Sequence, residues 1–217
     1  MKTDDLIVTL AHDSAPWTPL APARTRAARW LLGSAALCVA TIAIVGARAD
    51  LVLALRTPVY LALAITLLSS ALLGAFAAMT LSVPGAESTP ALRVLSVILA
   101  AGWALSFVVR LLPGGDAWPR IAAFPNHWAC VAEITGLSLV SGGVLYAMMR
   151  RAAPLRLGWS AAVATLASAT LAATATQIMC PIDDPAHHVV SHVAPVAVLV
   201  LAGAILGRRA IAKPRAY

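Results

Sequence analysis

The side chains of this chain best suited to hold a metal ion or exchange electrons are three cysteines and five histidines, and their placement is uneven. Cys130 and Cys180 each sit at the border of a long apolar stretch. His127, His187, His188 and His192 lie close to them, together with Glu133, Met179, Asp183 and Asp184; only His12 and Cys38 stand apart. His188 and His192 are four residues apart, which on a helix brings both imidazoles to one face. Such a pair is a common way to give a metal two nitrogen ligands. Cys130 and Glu133 are three apart, again on one face, and Met179 adds a second soft sulfur beside Cys180.

The expected metal ligands are therefore Cys130, Cys180, His188 and His192. His127, Glu133, Met179, Asp183 and His187 are additional candidates. Thiolate with imidazole suits an ion of the copper, zinc or cadmium class, with Cu(I) favoured where sulfur dominates. Such an ion would be regulatory; no cofactor is required, and no catalytic residue stands out. Two other chemistries fit the same cysteines. A structural disulfide would close a loop of about 50 residues and stabilise by roughly 4 kcal/mol. A redox-active pair is the other, although the close C-x-x-C spacing usual in thiol exchangers is missing. Any one of these histidines taken alone is more often an interfacial polar residue than a ligand, and Cys38, in mid-stretch, is a small packing residue.

The elements that must position these groups follow from composition. Hydrophobic residues make up 60% of the 217 and charged residues 12%, with a mean hydropathy of +0.85. A soluble domain carries about 25% charged residues, so the chain cannot clothe a water-soluble globule. It is expected to be an all-α polytopic membrane protein. Six apolar stretches, at about 27–47, 58–81, 91–112, 128–149, 159–179 and 185–206, each supply the roughly 20 residues a bilayer core requires. They divide the chain into a tail and linker (1–26), a six-helix membrane domain (27–210) and a short C-terminal tail (211–217).

Local chemistry supports the breaks. Val83-Pro84-Gly85 and Leu112-Pro113-Gly114-Gly115 are turn sequences. Thr57 before Pro58 and Asp184 before Pro185 have the form of helix N-caps followed by proline in the first turn. Trp17, Trp30, Trp103, Trp118, Trp128 and Trp159 lie near the ends of the stretches, as an aromatic belt would place them.

Twelve Lys and Arg gather on one side of these spans: Lys2, Arg24, Arg26, Arg29, Arg93, Arg150, Arg151, Arg156, Arg208, Arg209, Lys213 and Arg215. Four, Arg48, Arg56, Arg110 and Arg120, lie on the other. The positive-inside rule then places both termini in the cytoplasm and the cysteines outside. Basic residues at membrane borders also account for the net charge of +7, so no direct contact with nucleic acid is expected. A cleaved signal peptide is the competing reading of the first stretch, since Ala47-Arg48-Ala49 resembles a cleavage site. The basic region, however, starts behind a 23-residue tail, and the apolar run is long for a signal peptide.

A small metal or metabolite permease would need internal repeats or costly mid-membrane charge, and the chain shows neither. Together with a membrane thiol-redox protein, it forms the alternative class. Gly203-x-x-x-Gly207 permits close helix approach and raises the prospect of a homodimer.

The tail has its own logic. Residues 1–13 have the pattern of a short helix that Thr3 can cap, with Asp4 and Asp5 complementing its positive end. Leu6, Ile7 and Leu10 make one apolar strip. A helix this short is marginal alone, and the stiff proline-rich stretch Ser14–Pro22 holds it off the bilayer. The strip must bury itself on something; the linker favours a partner protein, and an accessory helix packed at the membrane interface is the alternative.

Several motifs together carry a resemblance: the opening Met1-Lys-Thr-Asp-Asp-Leu-Ile7, the Ala15-Pro16 step, Arg150-Arg-Ala-Ala-Pro-Leu-Arg156, Cys180-Pro-Ile-Asp-Asp184 and Leu206-Gly-Arg-Arg209. In these, in the six-span layout and in the two outer cysteines, the chain resembles the NrsF-type membrane anti-sigma factors over essentially its whole length. The resemblance implies a negative regulator of transcription in a stress response. Its N-terminal segment, here Thr3, Asp4, Asp5, Leu6, Ile7 and Leu10, would hold an extracytoplasmic-function sigma factor at the membrane. Its outer cysteines, here Cys130 and Cys180, would answer heavy-metal stress and let the sigma factor go.

Overall fold

A chain with so few charges and such long runs of Leu, Ala and Val must satisfy its backbone internally once it leaves water, and helices do this segment by segment. The computed structural model describes residues 2–12, 19–85, 90–112, 128–152 and 157–211. Among the described residues there is no strand. The tail helix is α1 (Thr3–His12), and a short α3 (Leu51–Leu55) follows the first span. Five spans are α2 (Ala23–Val45), α4 (Pro58–Leu81), α5 (Pro90–Leu111), α6 (Trp128–Arg150) and α7 (Leu157–Met179). The sixth, Pro185–Gly207, consists of α8 (Pro185–His188), a π turn (Val189–Val193) and the start of α9 (Ala194–Ile211). The all-helical six-span architecture expected from hydropathy is thus the observed one, with boundaries shifted by a few residues.

The helix starts divide. Asp184 caps α8 as expected: its carboxylate accepts from the Ala186 N–H at 2.7 Å, with Pro185 in the first turn. Thr57 precedes α4 but does not cap it. Its hydroxyl instead donates back to the Leu53 carbonyl of α3 at 3.4 Å. Thr3 likewise falls inside α1, and the Asp5 carboxylate accepts from the Lys2 N–H at 3.3 Å. Asp5 thereby does half the work of a capping box.

The core is built around α7. Its small residues, among them Ala161, Ala164, Ala167, Ser168 and Ala172, are buried against the flanking spans. Glycines let those spans come close. A Cβ on Gly74 of α4 would stand 3.1 Å from the Cβ of Ala167. On α9, a Cβ at Gly203 would collide with Thr165, and one at Gly207 would stand 2.5 Å from the Ala161 Cβ and 2.6 Å from the Tyr146 hydroxyl. The Gly203-x-x-x-Gly207 motif therefore packs within the chain and carries no argument for a homodimer.

The aromatic belt holds only in part. Trp128 and Trp159 are exposed, as a belt requires, whereas Trp30 and Trp103 are buried in the core. Trp30 donates its indole N–H to the Ser141 carbonyl at 2.7 Å. Side-chain packing thus outweighs interfacial placement at these two positions. Trp17, Trp118 and the Pro113-Gly114-Gly115 turn lie outside the described residues.

Contacts between spans define two ends of the bundle. At one, Arg26 of α2 reaches Met79 and Ser82 at the close of α4, and Arg93 of α5 lies over the Trp159 ring of α7. At the other, Arg48 meets Ile178, Tyr60 meets Gln177 and Phe107 meets His188. α1 precedes α2 at the first end, and Cys130 and Cys180 occupy the second.

Candidate metal centre

Cys130 lies in the first turn of α6, and Cys180 is the residue after α7 ends, its N–H still donating to Thr176 at 2.8 Å. The Asp184 cap then restarts the helix, so the sixth span enters immediately behind Cys180. The π turn sets what comes next. Ala194 N–H donates to the Val189 carbonyl, five residues back rather than four. A π turn repeats about one residue later than an α turn, so residues five apart, not four, come into line. His187 and His192 are five apart.

The result is a four-donor cluster. Cys130, Cys180, His187 and His192 each direct a ligand atom into one space, all within 4.8 Å of one another. The His187 Nε2 lies 3.3 Å from the Cys180 sulfur and 3.7 Å from the Cys130 sulfur. Cys180, His187 and His192 are buried, Cys130 partly so, and the thiols are not joined in a disulfide. Hydrogen bonding with Cys130 is the largest influence on the Cys180 thiol, with a contribution from His187; these outweigh burial and hold it below the ordinary thiol range.

His192 fits the same reading. It is fully buried, the Cys180 thiol is a polar group its ring meets, and neither ring nitrogen makes a full geometric hydrogen bond, a costly state for a polar group. A tetrahedral zinc with S and N ligands at about 2.3 and 2.0 Å sets its ligand atoms about 3.3–3.8 Å apart. The two sulfur–nitrogen distances fall in that range, and the four ligand atoms, all within 4.8 Å of one another, would draw together on occupation.

The other candidates are arranged differently. His188 stacks on Phe107 with centroids 4.4 Å apart, and on His192 at 4.7 Å. Its Nδ1 lies 3.1 Å from the Asp184 carbonyl, so it backs the cluster rather than joining it. Asp183 is bound to Arg48, with oxygen–nitrogen distances of 2.8 and 2.7 Å. Glu133 is partly buried one turn beyond Cys130 and contributes no atom to the cluster. Met179 is buried beside Cys180, and His127 lies outside the described residues. The sequence carries all four donors, but α-helical spacing points to His188, because nothing in the residues announces a π turn.

In the sequence Arg48 stands out as one of the four outer basic residues and within Ala47-Arg48-Ala49, not as a buried partner of Asp183. It is in fact buried, with its guanidinium paired bidentately to both Asp50 and Asp183. Its backbone N–H donates to Ile178 at 3.0 Å, and its guanidinium lies over the Tyr60 ring. Hydrogen bonds donated to Asp183 and Asp50 hold Arg48 firmly charged, and Arg48 holds Asp50 below the usual carboxylate range.

The bundle and the buried sulfur–imidazole cluster define a polytopic helical membrane protein with a ligand-ready centre at one end. Residues 10–212 match the family model NrsF, described as negative regulator of sigma F, and the chain belongs to that family. Its class is therefore regulatory, a multi-pass membrane protein acting on a sigma factor. Neither a curated protein nor a solved structure matches the chain.

Proposed function

We propose that this chain is an inner-membrane anti-sigma factor that holds an extracytoplasmic-function sigma factor with α1 in the cytoplasm. It releases that factor when the periplasmic cluster of Cys130, Cys180, His187 and His192 takes up an ion of the copper, zinc or cadmium class. The observation that carries this reading is the four-donor cluster at the opposite end of the bundle from the tail, in a chain of a sigma-regulator family.

The tail suits its part. Leu6, Ile7 and Val8 are exposed on α1, and Asp4 and Asp5 are exposed beside them. An apolar and acidic helix face complements an apolar and basic groove on a sigma factor. The energetics are adequate. A swing from 1:99 to 99:1 between holding and releasing states needs about 5.5 kcal/mol of differential affinity. Metal binding to Cys and His ligands supplies more than that in small zinc domains. The closeness of the two sulfurs favours a second signal, oxidation. An oxidant would take two electrons from the thiols, releasing two protons and forming a Cys130–Cys180 disulfide at the same place.

A tagged copy of the full chain, purified from detergent-solubilised cells, tests the reading. A sigma factor is expected to co-purify and to be lost after treatment with Cu, Zn or Cd ions. The Cys130→Ser and Cys180→Ser variants should retain it under the same treatment. Leu6→Asp with Leu10→Asp should abolish capture without any metal. A wild-type chain that captures no sigma factor, or one that keeps it under every metal and oxidant, overturns the reading.

A further inference from the structure

We propose that Arg48 is the residue that couples the cluster to the first span, and through that span to the tail. This inference rests on the function proposed above and assigns the route its signal takes. The route begins at the loop 180–184. Cys180 opens that loop, Asp183 is bound to Arg48, and Asp184 caps the helix that carries His187. Drawing Cys180 and His187 toward Cys130 must therefore displace Asp183 or pull Arg48 with it. Arg48 is also tied by its backbone to Ile178, two residues before Cys180.

The first span is the element best placed to receive such a pull. It packs mainly along a narrow stripe of Ala27, Trp30, Ser34 and Cys38, while Leu32, Val39, Ile44 and Val45 face outward. Its polar attachments are few and lie toward its ends. Trp30 and Arg26 hold the tail-side end, and Arg48, just past Val45, holds the cluster end. A helix held by end anchors rather than by a broad interface can shift as a body. Shear and small rotation of a packed helix are the usual form such a change takes. A shift of α2 would reach the residues that lead to α1 directly, without reorganising the tightly packed α7.

An ordinary stabilising ion pair would show the same bonds, so the test must read transmission as well as stability. Full-length protein in lipid nanodiscs is followed by hydrogen–deuterium exchange, with and without Zn2+, Cd2+ or Cu+ alone. In the wild type, an added ion is expected to slow exchange at residues 180–188 and to shift exchange at residues 19–26. In Arg48→Gln the local slowing should persist while the shift at 19–26 is lost. In parallel, the captured sigma factor should no longer leave on metal addition. Asp183→Asn serves as the second variant. It keeps the Arg48–Asp50 pair and the Arg48–Ile178 backbone bond, so it should fold, and it should weaken transmission in the same direction. Local slowing with an unchanged shift at 19–26 in both variants overturns the coupling role, as does a wild type with local slowing and no shift. A wild type with no slowing at 180–188 for any of the three ions instead defeats the metal reading itself.

Discussion

The first and fifth spans are both long and apolar, yet they have opposite roles. Of the most apolar stretch of α7, 83% is buried inside the bundle; of that of α2, 17% is. Hydropathy would rank them the other way, since α7 has the lowest mean of the six spans, 1.3, and α2 has 1.8. In a bilayer, lipid tails are as apolar as Leu, so hydrophobicity gives no reason for a helix to sit at the centre. Close packing does. The Ala, Ser and Thr of α7 admit Gly74, Gly142 and Gly203 over residues 161–168, and small residues stay buried along the rest of the helix. The first span, edged with Leu, Val and Ile, is fastened by a few side chains near its ends. A rigid pillar beside a lightly fastened helix is a reasonable build for a device that must move one part and keep the rest.

The contrast can be broken most sharply at its centre. Ala167→Leu places three extra carbons where Gly74 already approaches, and overpacking of this kind costs about 3 kcal/mol. The expected outcome is loss of folded protein in a denaturation series in detergent. Val39→Ala on the outer face of α2, which is 65% exposed, should change the unfolding free energy in the same series by less than about 0.5 kcal/mol. Equal effects at the two sites would remove the distinction between pillar and mobile helix.

A middle-sized effect is expected at the tail-side anchor. Arg26 donates to the Ala21 carbonyl at 3.0 Å, to the Ser82 hydroxyl at 3.1 Å and to the Met79 carbonyl at 3.0 Å. It thus binds the carbonyl end of α4, where a cation is favoured. Arg26→Met keeps the apolar stem and loses these bonds, at a cost of about 1.5–3 kcal/mol. If α2 is held by its ends, this variant should also alter hydrogen exchange at residues 19–26 without any metal, while leaving residues 180–188 as they were.

The smallest effect is that of pH on the cluster-end anchor. The Arg48 guanidinium holds the Asp50 carboxyl below its usual range. A lowered carboxyl pKa adds stability that is complete above the ordinary value of about 4 and disappears as pH falls through the lowered one. Thermal midpoints in detergent should therefore owe no slope to this pair between pH 8 and 5, and should decline on stronger acidification. Arg48→Gln should shrink the Asp50 share of that decline. Asp50 is exposed, so the change will be small.

The candidate centre is legible in the residue types, but the grouping of His187 with Cys130, Cys180 and His192 is visible only in the structure. Cys130, Cys180 and His192 could be picked out because sulfur and imidazole at span ends are rare and chemically distinct. His187 ranked behind His188 because the expected spacing was that of an α-helix. The π turn changed the register by one residue, and the His188 ring went to Phe107 instead. Arg48 gave no local signal of its burial, since its partner Asp183 is 135 residues away. Trp30 and Trp103 misled for a related reason: position along a span does not reveal which face of the helix meets its neighbours.

The sequence by itself determined the six spans, their approximate ends, the end of the bundle that carries the cysteines and the family to which the chain belongs. These follow from properties that add along the chain: apolar length, charge at the borders and order of motifs. Only the tertiary structure decided which span is central, which histidine completes the cluster and what fastens the first helix to the loop beside Cys180. Those outcomes depend on steric fit and hydrogen bonds between residues distant in sequence. In a bilayer, where hydrophobicity no longer ranks one helix above another, such contacts settle how the helices assemble.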